Sequence, residues 1–333
     1  MKKYIALLLA VVMLLGLVGC GAKKAEAEND KLVFGYVVND MSHEWYQNIA
    51  KGAQRRADEL GIELKVADSA MDVAKQVSQI ENLLTEGVDV QIITPVDVKA
   101  LSGVVADANA SKIPVVSESN VIEGAATYVG IDNVSGGKKA GLWFAEYAKA
   151  NNIDPKILIV GLPAFADCRQ RVEGFKAGLD EAGLVYEIVQ EVDGQGSKEI
   201  SLKVSQDALT AHPEVNVIFG INDNSTTGGM AAYKEAGLDE SKLTAIGFGF
   251  EGVVGREALL SGGPYKAAVA MFPDFVGSSL VDAALMAANG EELPANYESG
   301  TVVITEENFS EFYTKEGEEY ITNFDAIRAL LNK

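Results

Sequence analysis

Cysteine and histidine are almost missing from this chain, with two of each in 333 residues. Two cysteines cannot build a disulfide framework. So few thiols and imidazoles also leave little with which to hold a transition metal. Positive charge is scarce too: lysine and arginine total 28 against 48 aspartate and glutamate, a formal charge of −20. A phosphate backbone needs clustered cations, and none occurs outside the N-terminus, which excludes nucleic acid as a partner. No Walker loop, HExxH or GxSxG pattern is present. Cys168 and two distant histidines do not make a nucleophilic pair. What is there is 48% hydrophobic and 23% charged. That is the composition of a globular protein with a real core, and its charge excludes a polytopic membrane protein. The length suggests two domains or one large one.

The N-terminus reads as an export signal. Met1, Lys2 and Lys3 give a short positive region, and residues 4–18 are almost wholly apolar. The run is too short for a convincing membrane span and has the pattern of a secretory signal. It ends at Leu17-Val18-Gly19-Cys20, which resembles a bacterial lipobox. The resemblance implies that Cys20 carries a lipid and begins the mature chain. Residues 20–30 are then the lipidated cysteine and its tether, and Cys168 is left as a lone thiol.

From Lys31 onward the chain alternates short apolar runs with helical spacing. Strands are expected at 31–38, 62–67, 89–93, 113–117 and 127–131, and helices at 43–60, 71–86 and 97–110. Gly61 and Gly87 stand where C-cap glycines end helices. A helix opens at Asp132–Gly137 and runs to about 150. A second series follows, with strands at 156–161, 185–191, 215–219 and 243–247 and helices at 168–182, 197–211 and 224–236. The fold class is therefore α/β, in two doubly wound parallel-sheet halves. Ligands of such sheets bind beyond the carboxyl ends of the strands. This directs attention to loops 39–46, 94–97, 118–124, 162–171, 192–197, 220–226 and 247–252.

At these loops the sequence resembles the ribose/galactose-type periplasmic binding proteins. The resemblance rests on Gly35–Asn39 through Trp45-Tyr46 to Gly52–Gln54, on Ile113–Val116, and on Gly130–Asn133 with Gly136-Gly137. It continues through Arg169–Phe175, Leu209–Pro213, Asn222-Asp223 with Gly228, Gly247-Phe248 and Phe272–Asp274. These pieces follow the family's order across residues 31–305. The family implies two lobes joined by three crossings, of the type I periplasmic binding protein fold. By that resemblance, 31–131 with 272–300 form one lobe and 132–271 with 301–333 the other. It also implies capture of a small polar solute, most consistently a sugar, and delivery to an ABC permease. The chain would be an exported monomer held by its lipid at the outer face of the cell membrane or in the periplasm, with no cofactor and no catalysis.

Carried over by position, Asn39, His43, Trp45 and Tyr46 fall on contacts from the first lobe, and Ser119 and Asn120 on its next loop. Asp167, Arg171, Asn222 and Phe248 fall on the second lobe. Aromatic rings suit the apolar face of a sugar, and Arg and Asn supply directed donors and acceptors; a neutral polyhydroxylated ligand is expected. Of the two arginines on the loop, Arg171 is expected to face the cleft and Arg169 the solvent, and Trp143 is expected to stay on a helix face. The sequence departs from the sugar pattern at Ser119, Gly249 and Met271, where acids or amides are usual. Glu118 and Glu251 lie close enough in sequence to substitute. Two alternatives stay open. One is the same fold binding a furanone signal or a nucleoside, or serving chemosensing. The other is an enzyme using Gly247–Gly252, which matches G-x-G-x-x-G literally but closes a series of strands instead of opening a βαβ unit. Lac-repressor-like regulators share the architecture but carry a DNA-binding headpiece where this chain has its signal.

Overall fold

Strands covered on both faces must be largely apolar along their length, and the inner strands of both sheets are, whereas strands at the sheet edges carry exposed charged residues. The computed structural model describes residues 31–317 and 319–331; the signal-like run, Cys20 and the tether lie outside them. The first sheet holds β1 (Val33–Val38), β2 (Glu63–Asp68), β3 (Val90–Ile93), β4 (Val115–Glu118), β5 (Thr127–Gly130) and the late strand β11 (Asn296–Glu298). They run parallel in the order β11-β5-β4-β3-β1-β2. The second sheet holds β6 (Lys156–Gly161), β7 (Glu187–Asp193), β8 (Val217–Gly220), β9 (Thr244–Gly249), β10 (Tyr265–Ala270) and β12 (Val302–Ile304). Its order, β12-β10-β9-β8-β6-β7, repeats that of the first, except that β12 runs antiparallel to β10. In each sheet the order reverses beside its first strand, which opens a crevice at the strands' carboxyl ends.

Helices α1 (Glu44–Leu60), α2 (Val73–Glu86) and α3 (Ser102–Ala110) connect the first sheet. Helices α4 (Asn133–Asn151), α5 (Ala166–Glu181), α6 (Lys198–Ala211), α7 (Asp223–Glu235) and α8 (Val253–Leu260) lead into and connect the second. Gly61 and Gly87 end α1 and α2 with φ of 71° and 79°, in the left-handed region glycine adopts without strain. Helix α3 starts at 102 instead of 97. The Asp97 side chain accepts hydrogen bonds from the Lys99 and Ala100 amides, holding that stretch as a turn. The chain passes between lobes at 130–133, 270–273 and 298–302. After the second crossing, α9 (Pro273–Ala288) returns to pack on α1 and the first sheet. No helix among the described residues is long and apolar enough to cross a membrane.

The last thirty residues have an architecture that the β/α alternation does not announce. α10 (Phe309–Phe312), the hairpin β13 (Tyr313–Glu316) and β14 (Glu319–Thr322), and α11 (Phe324–Leu331) pack over the second crossing. Phe309, Phe312 and Tyr313 enclose Phe250 and Phe272 in one buried aromatic cluster. Both enclosed residues have left-handed backbone, φ 50° and 51°. For a bulky side chain that conformation costs on the order of 1 kcal/mol or more and persists only where packing enforces it.

Two helix pairs approach so closely that only glycine fits between them. A methyl group at Gly141 or Gly178 would collide with the backbone of the facing helix in the α4–α5 pair, as would one at Gly137 or Gly174. Gly52 and Gly277 do the same for α1 and α9. Gly141→Ala should therefore destabilise the protein by about 1–3 kcal/mol or more, the cost of overpacking against backbone that cannot yield. Gly103, in α3, has open space around its Cβ position. Gly103→Ala should instead be neutral or stabilising by up to about 1 kcal/mol. Chemical denaturation of the two variants measures this contrast. Equal stability would mean that the helices separate at little cost.

Candidate functional site

The carboxyl ends of both sheets face one cavity of about 690 Å³, within the range of small-molecule sites. On the first lobe its wall comes from the loop after β1 and the start of α1. His43 is the N-cap of α1, with extended backbone, and its Nδ1 accepts from the Trp45 amide at 3.2 Å. The cap satisfies one of the helix's orphan N–H groups and fixes the direction in which Trp45 and Tyr46 leave the first turn. Burial lowers the His43 pKa. Trp45 is buried and Tyr46 half-buried, and both line the cavity with Asn39 and His43.

The second lobe supplies a braced guanidinium. Arg171 is 8% exposed. Its Nε donates to Asn133 Oδ1 and its NH1 to the Ile221 carbonyl, each at 2.9 Å. NH2 lies 3.6 Å from Asp167, one helical turn back. The guanidinium carbon sits 4.7 Å from the centroid of the Phe248 ring, a cation–π arrangement. Asn222 caps α7: its Oδ1 accepts from the Ser225 amide at 2.8 Å and its Nδ2 donates to the Gly196 carbonyl at 3.0 Å. Asp167, Arg171 and Asn222 all line the cavity. Arg169 points away, donating to the Pro163 carbonyl from an exposed position. Trp143 is half-buried on α4, stacked on Tyr147.

Two of the residues expected from sequence stand apart. Phe248 is fully buried beneath Arg171 and is not part of the lining, so it supports the guanidinium. Asn120 is exposed and lies outside the lining. The left-handed backbone of Ser119, φ 60°, turns the chain away after that residue. Residues that the sequence reading left aside complete the wall: Met71 after β2, Tyr128 on β5 and Asn133 at the first crossing. Met71 was open to the strand-end rule, because its loop follows β2 as the others follow their strands. Asn133 was open to the same rule, since it follows β5, but its hydrogen bond to Arg171 carried no sequence signal.

The lining carboxylates set the electrostatics. Glu118, at the end of β4, is 1% exposed, and the Ser119 hydroxyl donates to its Oε1 at 2.5 Å. Burial pushes its pKa up to about 7. Glu251, on the loop after β9, is also buried, and burial raises it to about 7 against the pull of Arg171. Behind it Asp223 accepts from the Tyr265 hydroxyl at 2.6 Å and the Glu251 amide at 3.1 Å, and burial lifts it too to about 7. Gly249 adopts φ 98°, which explains why glycine stands there. A Cβ built on it would sit 3.6 Å from the Glu251 carboxylate, so Glu251 occupies the space in front of position 249. The lobes meet where Asn48 of α1 donates to the Glu251 carbonyl at 2.8 Å.

The G-x-G-x-x-G stretch is explained by close packing. Side chains at Gly247 and Gly252 would strike Tyr265 and the Glu44 carboxylate. Asp223 and Glu251 stand at the entry to α8, where a dinucleotide's pyrophosphate would need positive potential. Cys168 is buried, and burial pushes its thiol up to about 12, far from a reactive thiolate. Among the described residues no group of three or more His, Cys, Asp and Glu is placed to hold a metal ion.

Comparison with known proteins agrees with this architecture. Residues 34–292 match the family of the periplasmic binding protein domain. The ribose import binding protein of Salmonella typhimurium is 30% identical over 263 residues, covering 78% of this chain and 86% of its own. That of Haemophilus influenzae is 30% identical over 312 residues, covering 92% of this chain and 100% of its own. Among solved structures, an ABC transporter solute binding protein from Mycobacterium smegmatis with bound glycerol aligns with a TM-score of 0.73 at 26% identity, covering 86% of this chain and 98% of that one. A Caulobacter myo-inositol binding protein bound to myo-inositol aligns with a TM-score of 0.73 at 26% identity, covering 84% and 95%. The chain belongs to the periplasmic binding protein family.

Proposed function

We propose that this chain captures a small polyhydroxylated solute, a sugar or cyclitol, between its lobes and delivers it to an ABC permease without chemical change. The observation that carries this reading is a cavity shared by the carboxyl ends of both sheets, where an indole, two phenols and a braced guanidinium stand beside carboxylates and amides. Rings cover the apolar face of a sugar and the polar groups answer its hydroxyls. The named relatives bind ribose and myo-inositol, which supports the solute class. Glu118 and Glu251 take over the acceptor roles absent at Ser119 and Gly249. We further propose that the protein is exported and held at the membrane by lipid on Cys20, acting as a monomer. Lobe closure would turn on the three crossings, where few dihedral angles need to change.

A thermal-shift screen of pentoses, hexoses, polyols and cyclitols, with nucleosides and nicotinamide dinucleotides as controls, tests the solute class. A raised Tm with sugars or cyclitols supports it, and a response confined to nucleosides or dinucleotides contradicts it. With a solute in hand, the change in tryptophan fluorescence on binding should persist in Trp143→Phe and largely vanish in Trp45→Phe. A signal that survives only in Trp45→Phe would move the solute away from the first wall. Arg171→Ala should weaken binding by roughly 10- to 100-fold, the worth of one or two charge-assisted hydrogen bonds. It should also lower the Tm, because it strips partners from Asn133 and Ile221. Arg169→Ala should do neither. Calorimetry on both variants decides, and the reverse ranking would refute the assignment.

Acid carboxyls raised by burial also predict the pH dependence of the empty protein. Glu118, Glu251 and Asp223 titrate near 7 when folded and near 4 when unfolded. Between those values the folded state holds more protons, so stability is greatest at the acid end and falls as pH rises. The ligand-free Tm should therefore drop between pH 5 and 7.5. Glu118→Gln with Glu251→Gln should flatten that slope; an unchanged slope would place its origin elsewhere.

A further inference from the structure

The cavity is better supplied with acceptors than with free donors. Carboxylates of Asp40, Glu118, Asp167, Glu199 and Glu251 line it, against the cations of Arg171 and Lys198. Arg171 is already committed to Asn133, Ile221 and Asp167, and Lys198 is solvent-exposed. No cation compensates Glu118. The charge that acts on it is that of Asp167, across the cleft and of the same sign. The groups ringing it are the Thr94 hydroxyl, hydrogen-bonded to the Tyr36 phenol at 3.0 Å, and the phenols of Tyr36 on β1, Tyr46 on α1 and Tyr128 on β5, whose own ionisation burial and its charge oppose. Its Oε2 has no hydrogen-bond partner, and neither has Oδ1 of Asn39, a second buried acceptor on the same wall.

A buried carboxylate oxygen left without a partner is costly relative to one in water. Proteins retain such a group where a ligand completes it. A solute hydroxyl completes it in part. An ammonium group supplies both the missing donors and the missing charge, and charge-assisted hydrogen bonds are roughly twice as strong as neutral ones.

We propose that the solute carries a protonated amino group seated against the Glu118 carboxylate and the Asn39 side-chain carbonyl, so that the chain selects aminated sugars or cyclitols over their neutral parents. This rests on the sugar-or-cyclitol reading given above and sharpens it. The opposite wall, with Arg171 and Glu251, is left to the solute's hydroxyls.

Matched pairs test the selection: D-glucosamine against D-glucose, D-galactosamine against D-galactose, and an aminodeoxy-inositol against myo-inositol, each titrated calorimetrically into the full-length protein at pH 7. At least one amine should bind about tenfold or more tightly than its parent, the difference between a charge-assisted and a neutral bond. Glu118→Gln should remove that preference while leaving the ligand-free Tm unchanged or higher, since it deletes a buried charge. In the wild type, affinity for the amine should fall from pH 7 to pH 5 as Glu118 takes up its proton, a readout that does not depend on the variant folding. Neutral parents binding as well as the amines would overturn the amino-group assignment and leave the sugar reading standing. Binding by neither member of any pair would overturn the amino-group assignment, and the pentoses and polyols of the thermal-shift screen would then decide the sugar reading. A preference that survives in Glu118→Gln would remove Glu118 from the account.

Discussion

Two carboxylates, Glu118 and Glu251, are buried on opposite walls of one cavity, at the ends of strands that cannot easily move. Desolvation opposes their ionisation strongly enough to hold both near pH 7. Such a group stays desolvated only if the surroundings are rigid enough to deny it water, and its ionised form is satisfied only when a partner arrives from outside. Much of the local structure serves the first condition. Ser119 and Gly249 take backbone angles that most residues avoid; Gly249 leaves the space before it to the Glu251 carboxylate, and the Ser119 hydroxyl holds Glu118. Asp223 anchors the Glu251 amide from behind. The aromatic cluster of the C-terminal segment locks Phe250 and Phe272 beside the same loop and crossing.

The two walls divide the work. On the second lobe, Arg171 is held by two hydrogen bonds, a nearby carboxylate and the face of Phe248, and its guanidinium is already oriented at the cavity wall. Preorganisation of this kind lowers the entropy lost on binding. It also makes Arg171 part of the folded framework, because its removal leaves buried Asn133 and the Ile221 carbonyl without a donor. On the first lobe the hydrogen-bonding capacity is left open, at Glu118 Oε2 and Asn39 Oδ1. Asn48 joins the walls through the Glu251 carbonyl, so the position of one acid is coupled to the approach of the opposite lobe.

The alternation of strands and helices was legible because parallel strands buried on both faces read as unbroken apolar runs, and because Gly61 and Gly87 end their helices. Strand-end logic then pointed to most of the cleft loops, and the family resemblance to the residues on them. Asn39, His43, Trp45, Tyr46, Ser119, Asp167, Arg171 and Asn222 converge on one cavity, while Phe248 lies beneath it and Asn120 outside. What sequence could not give were properties of three-dimensional approach. Asn133 becomes a bracket for Arg171 only when α4 and α5 touch. The C-terminal hairpin and helix follow no βα rhythm and are held by aromatic contacts to residues far away in the chain. The substitution of Glu251 for a side chain at position 249 depends on a backbone angle that no composition reports.

On the proposed reading, the solute completes two carboxylates whose ionisation burial holds back to about pH 7. Binding must then drive them toward the charged form and expel protons. Calorimetric titration of the tight-binding solute at pH 7, repeated in buffers of different ionisation enthalpy, measures that exchange directly. Net proton release is expected, diminished when Glu118 and Glu251 are both changed to glutamine. Binding with no proton exchange, or with proton uptake, would contradict it.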